Sequence, residues 1–237
     1  MAYPPESSKS ACVLSFMTQK GGMGKTTLTQ LTSLHLYYQG FRVLVIDADN
    51  PQHSFEILRA QEIKKLESNE LLREKFEKKG LPVMPLKKGS LVDIVTHLGQ
   101  FKHSGNYDYI LVDVPGTLAV DGLKELVEQL DVVLLPMEMD MKSYVSGMQT
   151  IDYVLSINPD MKLFMYWNRI KQAESEGMLT SVNKGVMEKC KITVFKKRLN
   201  DLVSIKRDTS TVFPPTQKDV LVFMNELADY RIGRIET

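Results

Sequence analysis

The sequence predicts an α/β fold: a doubly wound, mostly parallel sheet of about seven strands flanked by helices. Three observations carry it. Continuous apolar runs recur along the chain, helical patterns separate them, and a glycine cluster directly follows the first run. Such runs bury both faces of a strand, and parallel crossovers bring the helices that cover them. The 237 residues, 43% hydrophobic and 25% charged, suit one domain spanning 1–237. They exclude a collagen, a disordered tail or a polytopic membrane protein.

Residues 11–18 form a short run rich in strand formers, followed by Gly21, Gly22 and Gly24 and then a helical pattern. Residues 42–47 (RVLVID) follow the Gly40 break, and 107–113 (YDYILVD) precede the Pro115-Gly116 breaker. Each reads as a buried strand ending in a carboxylate. Residues 131–136 and 161–168 are further strands, helical stretches at 121–129 and 143–157 flank the first of them, and 192–195 is a weaker strand candidate. The charge-dense segment 62–80, with Leu66, Leu71, Leu72 and Phe76, predicts one amphipathic helix. In the tail from 217 to 237, Val220, Leu221, Met224 and Leu227 recur at spacings that suit packing on the body of the protein.

Cys12 and Cys190, the only cysteines, cannot form a disulfide framework or a four-ligand zinc site, and Cys12 reads as a core residue. The first residues lack a basic segment followed by an apolar stretch, and no uncharged apolar run reaches about 18 residues. A cytoplasmic protein is expected.

The chemistry concentrates in residues 20–27, Lys-Gly-Gly-Met-Gly-Lys-Thr-Thr, set between a predicted strand and a predicted helix. Glycines let a backbone wrap phosphates with its amides pointing inward, and the following helix presents its positive end. Lys25 adds a full charge, Thr26 offers a hydroxyl to a magnesium ion, and Thr27 lies near an α-phosphate. This is the P-loop of an NTPase in a deviant Walker A form, because Gln19 stands where the general pattern has glycine and Lys20 is an additional lysine. Asp47 and Asp113, at the ends of two apolar strands, supply the carboxylates that magnesium prefers beside phosphate oxygens.

These residues resemble the ParA/MinD superfamily of deviant-Walker ATPases. KGGMGKTT is similar to its signature-lysine loop, IDADNPQHS to its Asp-x-Asp-Pro-Gln segment, and YDYILVDVPG to its Walker B strand. The resemblance implies an ATP- and magnesium-dependent homodimer in which Lys20 reaches the phosphates held by the partner subunit, while Lys25 serves those of its own. It implies that Gly21, Gly22, Met23, Gly24, Thr26 and Thr27 line the nucleotide and that Asp49 places the attacking water. Thr26, Asp47 and Asp113 then belong to the metal site, and Asn168 with Arg169 to the adenine side. Asn50, inserted before Pro51, departs from the usual spelling and puts Gln52 and His53 in doubt. Asp-Val-Pro-Gly at 113–116 departs from the frequent Asp-Thr-Pro-Pro. Both variants resemble small ParA-like ATPases of mobile and conjugative elements.

The net charge is +1, yet residues 184–207 hold eight basic residues against Glu188 and Asp201. That polarity fits a phosphate-backbone footprint, with Lys196, Lys197, Arg198, Lys206 and Arg207 as candidate DNA contacts. The resemblance therefore implies an ATP-driven switch that positions DNA cargo through non-specific DNA binding, is associated with the nucleoid and is stimulated by a centromere-binding or relaxosome-like partner. The main alternative is a membrane-cycling or protein-positioning ATPase of MinD type. Its basic amphipathic tail is not matched here, because Lys218, Arg231 and Arg234 are offset by Asp219, Glu226, Asp229 and Glu236. A small-molecule kinase would need a second substrate motif, and none is legible. A nucleotide-gated module without hydrolysis would have less use for Asp49.

Overall fold

A computed structural model describes residues 10–170, 176–190, 192–200 and 209–229. In chain order the elements are β1 (Cys12–Phe16), α1 (Lys25–Tyr38), β2 (Val43–Asp47), α2 (Ser54–Ser68), α3 (Glu70–Glu77), β3 (Leu86–Lys88) and α4 (Leu91–His103). There follow β4 (Tyr109–Asp113), α5 (Leu123–Gln129), β5 (Val132–Met137), α6 (Met141–Ile157), β6 (Lys162–Trp167), α7 (Glu176–Cys190), β7 (Thr193–Val194) and α8 (Lys218–Asp229).

The strands form one sheet of seven in the order β3-β2-β4-β1-β5-β6-β7, and every pairing is parallel. The winding reverses at β1, which lies between β4 and β5. A crevice opens at such a reversal, outside the carboxyl ends of the strands. The glycine loop leaves β1 at that place, and the register sets Asp47 beside Asp113.

Alternate residues of the same strands feed two cores. Val13, Ile46, Val112 and Leu135 face Leu98 of α4, Leu126 of α5 and Ile151 of α6. Leu14, Phe16, Val45 and Leu134 join Leu28 and Leu31 of α1 with Phe223 and Met224 of α8. Burial of both faces is the physical reason the strands read as unbroken apolar runs.

The expectations differ from the structure in the 62–80 segment and at β3, α4 and α7, the last three not expected from the sequence. β3 and α4 went unread, because β3 is a three-residue edge strand whose Lys87 and Lys88 are exposed. Charged, short edge strands resist further pairing, and they leave no hydrophobic run to recognise. The helix expected over 62–80 is two helices that break at Asn69, whose extended backbone and side-chain bond to the Leu72 N–H start α3. Leu66 is buried while Leu71 is 79% exposed, so a single apolar stripe does not run through the segment.

The tail expectation holds over the described residues. Val220, Met224 and Leu227 of α8 are buried, and Phe223 packs its ring 4.9 Å from Tyr166 and 5.4 Å from Phe195. Among the described residues no helix is long and apolar enough to cross a membrane. Phe223→Ala removes a fully buried ring and is expected to cost about 3–5 kcal/mol in chemical denaturation. A loss near the surface-substitution range of about 0.5 kcal/mol would contradict this docking of α8.

Candidate functional site

Gly22 and Gly24 adopt left-handed backbone, with φ of 73° and 81°, which side chains resist. They turn the loop so that α1 begins at Lys25 with its first N–H groups facing the crevice. The loop is fixed at both ends. At its entry the Gln19 N–H donates to Thr150 Oγ1 (3.2 Å), and the Thr18 and Ser146 hydroxyls lie 3.3 Å apart, tying it to α6. At its exit Asn168 Nδ2 donates to the Met23 carbonyl (2.8 Å), which anchors the loop to the end of β6.

Lys25, a buried residue, points along the loop toward the strand-end carboxylates. Burial lowers its pKa, and the charges of Asp113 and Asp49 act in the opposite direction. Asp113 is fully buried at the end of β4, and among the described residues neither carboxylate oxygen has a hydrogen-bond partner of normal geometry. Desolvation pushes it from 3.8 up to about 7; Thr26 opposes the shift without making a hydrogen bond of normal geometry. Unpaired buried carboxylate oxygens are costly, and a cation or a phosphate-bound cation beside Thr26 would satisfy them. The donor set therefore fits magnesium. Among the described residues no three His, Cys, Asp or Glu side chains converge as a metal-binding group, so most ligands of such an ion would be phosphate oxygens and water.

Asp47 is equally buried but fully engaged. Its Oδ1 accepts from the Asp49 N–H (3.2 Å) and lies 3.4 Å from His53 Nδ1, while its Oδ2 accepts from the Glu56 N–H (3.0 Å). It organises the turn into α2 that carries Asp49. Asp49 is half-buried beside Lys25; burial raises its pKa, Lys25 lowers it, and Asp47 adds to the rise. Thus Lys25, Thr26, Asp47, Asp49 and Asp113 come together, as expected from the sequence.

Lys20 takes a different position. Its Nζ donates to Glu138 Oε2 (3.1 Å) and Asp140 Oδ2 (2.9 Å) on the turn between β5 and α6. Arg169 Nη1 donates to the other oxygen of Glu138 at 3.2 Å. Partial desolvation works against the Lys20 charge, but the hydrogen bonds to Asp140 and Glu138 outweigh it and raise the pKa. Lys20 is therefore paired within its own subunit. Glu138 and Asp140 were not singled out from the sequence. Their signal is the alternation of Met137, Glu138, Met139 and Asp140, which sets the two acids on the same side of an extended strand end.

Gly116, legible in the sequence as a breaker after β4, is also part of the site. A β-carbon there would stand 3.2 Å from Gly21 Cα and 3.2 Å from Lys25 Nζ, so the turn after β4 lies directly against the phosphate loop.

Of the candidate DNA contacts, Lys196 and Lys197 are exposed just after β7 and Arg198 is half-buried. Their loop is braced by Glu226 of α8, whose oxygens accept from the Lys196 N–H (2.7 Å) and the Lys197 N–H (2.6 Å). Lys206 and Arg207 lie outside the described residues.

A family profile described as an AAA domain matches residues 11–96, the stretch that carries the glycine loop, Asp47 and Asp49. No curated protein gives a significant sequence match. Among solved structures, the chain is similar to a plasmid partition protein of Borrelia burgdorferi at 18% identity and a TM-score of 0.63, covering 94% of this chain and 98% of the other. A putative plasmid partition protein of the same organism, bound to AMPPNP, is 19% identical with a TM-score of 0.64, over 94% and 98% of the two chains. The MinD cell division protein of Aquifex aeolicus is 20% identical with a TM-score of 0.65, over 95% and 99%. The likeness to these structures therefore extends over the whole α/β fold.

The neutral form of Asp113 stabilises the nucleotide-free protein fully below pH 3.8, and this contribution is lost as pH rises from there to about 7. Asp113→Asn should therefore exceed wild type in nucleotide-free stability at pH 8, by on the order of 2–4 kcal/mol, and the gap should close toward pH 4. Thermal melts across pH test this, and a pH-independent gap would contradict it. Gly116→Ala presses on loop backbone and should weaken nucleotide binding by about tenfold, the equivalent of ~1–2 kcal/mol of overpacking. Titration with a fluorescent nucleotide reads that loss; unchanged affinity would contradict the close contact.

Proposed function

We propose that the chain, a single P-loop ATPase domain of ParA/MinD fold, hydrolyses ATP to ADP and phosphate and uses the ATP-bound homodimer to position DNA cargo. The unpaired Asp113 carboxylate facing Lys25 across a glycine loop is the observation that supports this reading most directly. The site is electrostatically incomplete without a polyanion and a divalent cation.

Phosphoryl transfer depends mainly on positioning and charge neutralisation. The amides of residues 21–27 and Lys25 hold the phosphates, Met23 and Asn168 fix the loop's far side, and Asp49 orients a water toward the γ-phosphate. Asp113 and Thr26 would hold magnesium, with Asp47 ordering the adjoining turn. The bound ion would supply Lewis-acid neutralisation of charge on the phosphate oxygens. Lys20, contributed across the dimer, completes the site. No covalent nucleophile is needed. Because one subunit's lysine is required by the other's nucleotide, hydrolysis limits the lifetime of the dimer.

The exposed Lys196 and Lys197 beside Arg198 favour DNA as the surface engaged. Dimerisation doubles their number and makes binding strongly dependent on salt. The membrane-cycling alternative is disfavoured by α8, whose Val220, Phe223, Met224 and Leu227 are buried in the core and are not free to enter a lipid surface.

Lys20→Ala should retain ATP binding but lose hydrolysis by about a hundredfold or more, whereas Lys25→Ala should lose binding itself. Equal turnover in Lys20→Ala and wild type would overturn the cross-subunit arrangement. Asp49→Ala should accumulate as a dimer in ATP, seen by light scattering; a monomer would contradict its role. Binding to random-sequence duplex DNA and to anionic liposomes, compared in ADP and a slowly hydrolysed ATP analogue across a salt series, tests the cargo surface. ATP-dependent, salt-sensitive binding to DNA alone is expected, and binding to liposomes alone would establish the alternative.

A further inference from the structure

Lys20 cannot be in two places. Within one subunit its ammonium sits between Glu138 and Asp140, 3.1 Å and 2.9 Å away, and in the proposed dimer it must reach the phosphates of the partner subunit. The acids that hold it are themselves fixed. Asp140 accepts the Ser143 N–H at 2.9 Å as the cap of α6, the Glu138 N–H donates to Ser143 Oγ at 2.7 Å, and Arg169 holds the second oxygen of Glu138. α6 in turn holds the entry of the glycine loop through Thr150 and Ser146. The loop that carries the lysine and the acids that clasp it are therefore both tied to α6.

We propose that Glu138 and Asp140 are positioning residues that hold Lys20 within its own subunit and oppose ATP-dependent dimerisation until phosphate charge displaces them. The exchange is balanced in charge. Two carboxylates release an ammonium, and the phosphates of the partner subunit take it up. The pairs are only partly buried, with side-chain exposures of 29% for Lys20, 19% for Glu138 and 43% for Asp140. Such pairs are weak enough to open, yet several together bias an equilibrium measurably. The groups facing Lys20 Nζ among the described residues are these two acids, with Arg169 behind Glu138. The proposal rests on the dimerising reading given above.

The test uses the full chain with Glu138→Gln and Asp140→Asn combined; asparagine keeps a side-chain oxygen for the α6 cap. Glu128→Gln, on an exposed ion pair with Lys124, is the control for the loss of one negative charge elsewhere. Amine labelling of the nucleotide-free protein, read by mass spectrometry, is expected to rise at Lys20 relative to Lys124 in the double variant only. No rise would overturn the clasp. Light scattering in a slowly hydrolysed ATP analogue is then expected to show half-dimerisation at a protein concentration about three- to tenfold lower than for wild type, the range of one or two partly exposed ion pairs. An unchanged or higher midpoint, with wild type dimerising normally, would overturn the opposition to assembly. If Lys20 labelling rises but wild type never dimerises in the analogue, the dimer reading fails and takes the exchange with it.

Discussion

A carboxylate buried without a partner dominates this molecule. Asp113 ends β4 at the centre of a sheet covered on both faces, where water cannot reach its oxygens and no donor among the described residues makes a hydrogen bond of normal geometry to them. Desolvation drives its pKa up to about 7 and holds Lys25, its cationic neighbour, below the usual lysine range. Neither group is well placed alone. The free-energy penalty of this arrangement is relieved by a ligand that carries both signs of charge, which is what a phosphate chain with a divalent cation brings.

The loops around that point form one connected structure. Asp47 binds the turn that carries Asp49, Gly116 brings the turn after β4 against Gly21, and Asn168 clamps the Met23 carbonyl. Through Thr150 and Ser146 the loop entry is joined to α6, whose capping residue Asp140 also grips Lys20. The glycine loop is thereby joined to the turn between β5 and α6 through contacts already in place.

Away from the crevice, buried polar ties seat the last described helix and the segment that precedes it. Glu226 accepts two backbone N–H groups of the basic loop, and Arg59 of α2 bonds to Thr211 Oγ1 and to the Met84 carbonyl. Glu62 holds the same Thr211 and Ser210. These bonds, with the rings of Phe223, Tyr166 and Phe195, keep the chain around β7 in a defined position relative to the sheet. An exposed basic loop on a rigid mount loses less entropy on binding a polyanion than a free one.

The strand core and the phosphate loop were legible in the sequence because both are local. A fully buried parallel strand must be apolar throughout, and a loop that wraps phosphate must place glycines and lysines at fixed offsets, so residues 11–27, 42–49 and 107–113 announce themselves. The short charged edge at β3 and the break at Asn69 were not legible, since an edge strand needs no apolar run and a capping bond is not a periodicity. The pairing of Lys20 with Glu138 and Asp140 joins residues well over a hundred positions apart. The closeness of Gly116 to Gly21 and the two N–H groups that Glu226 holds, 30 and 29 positions away, are likewise contacts between segments apart in sequence. Composition and spacing specify which groups the chain carries to the crevice. Which of them are satisfied there and which are left unpaired depends on the parallel register and on the helices that exclude water, and is settled only when the sheet has closed around them.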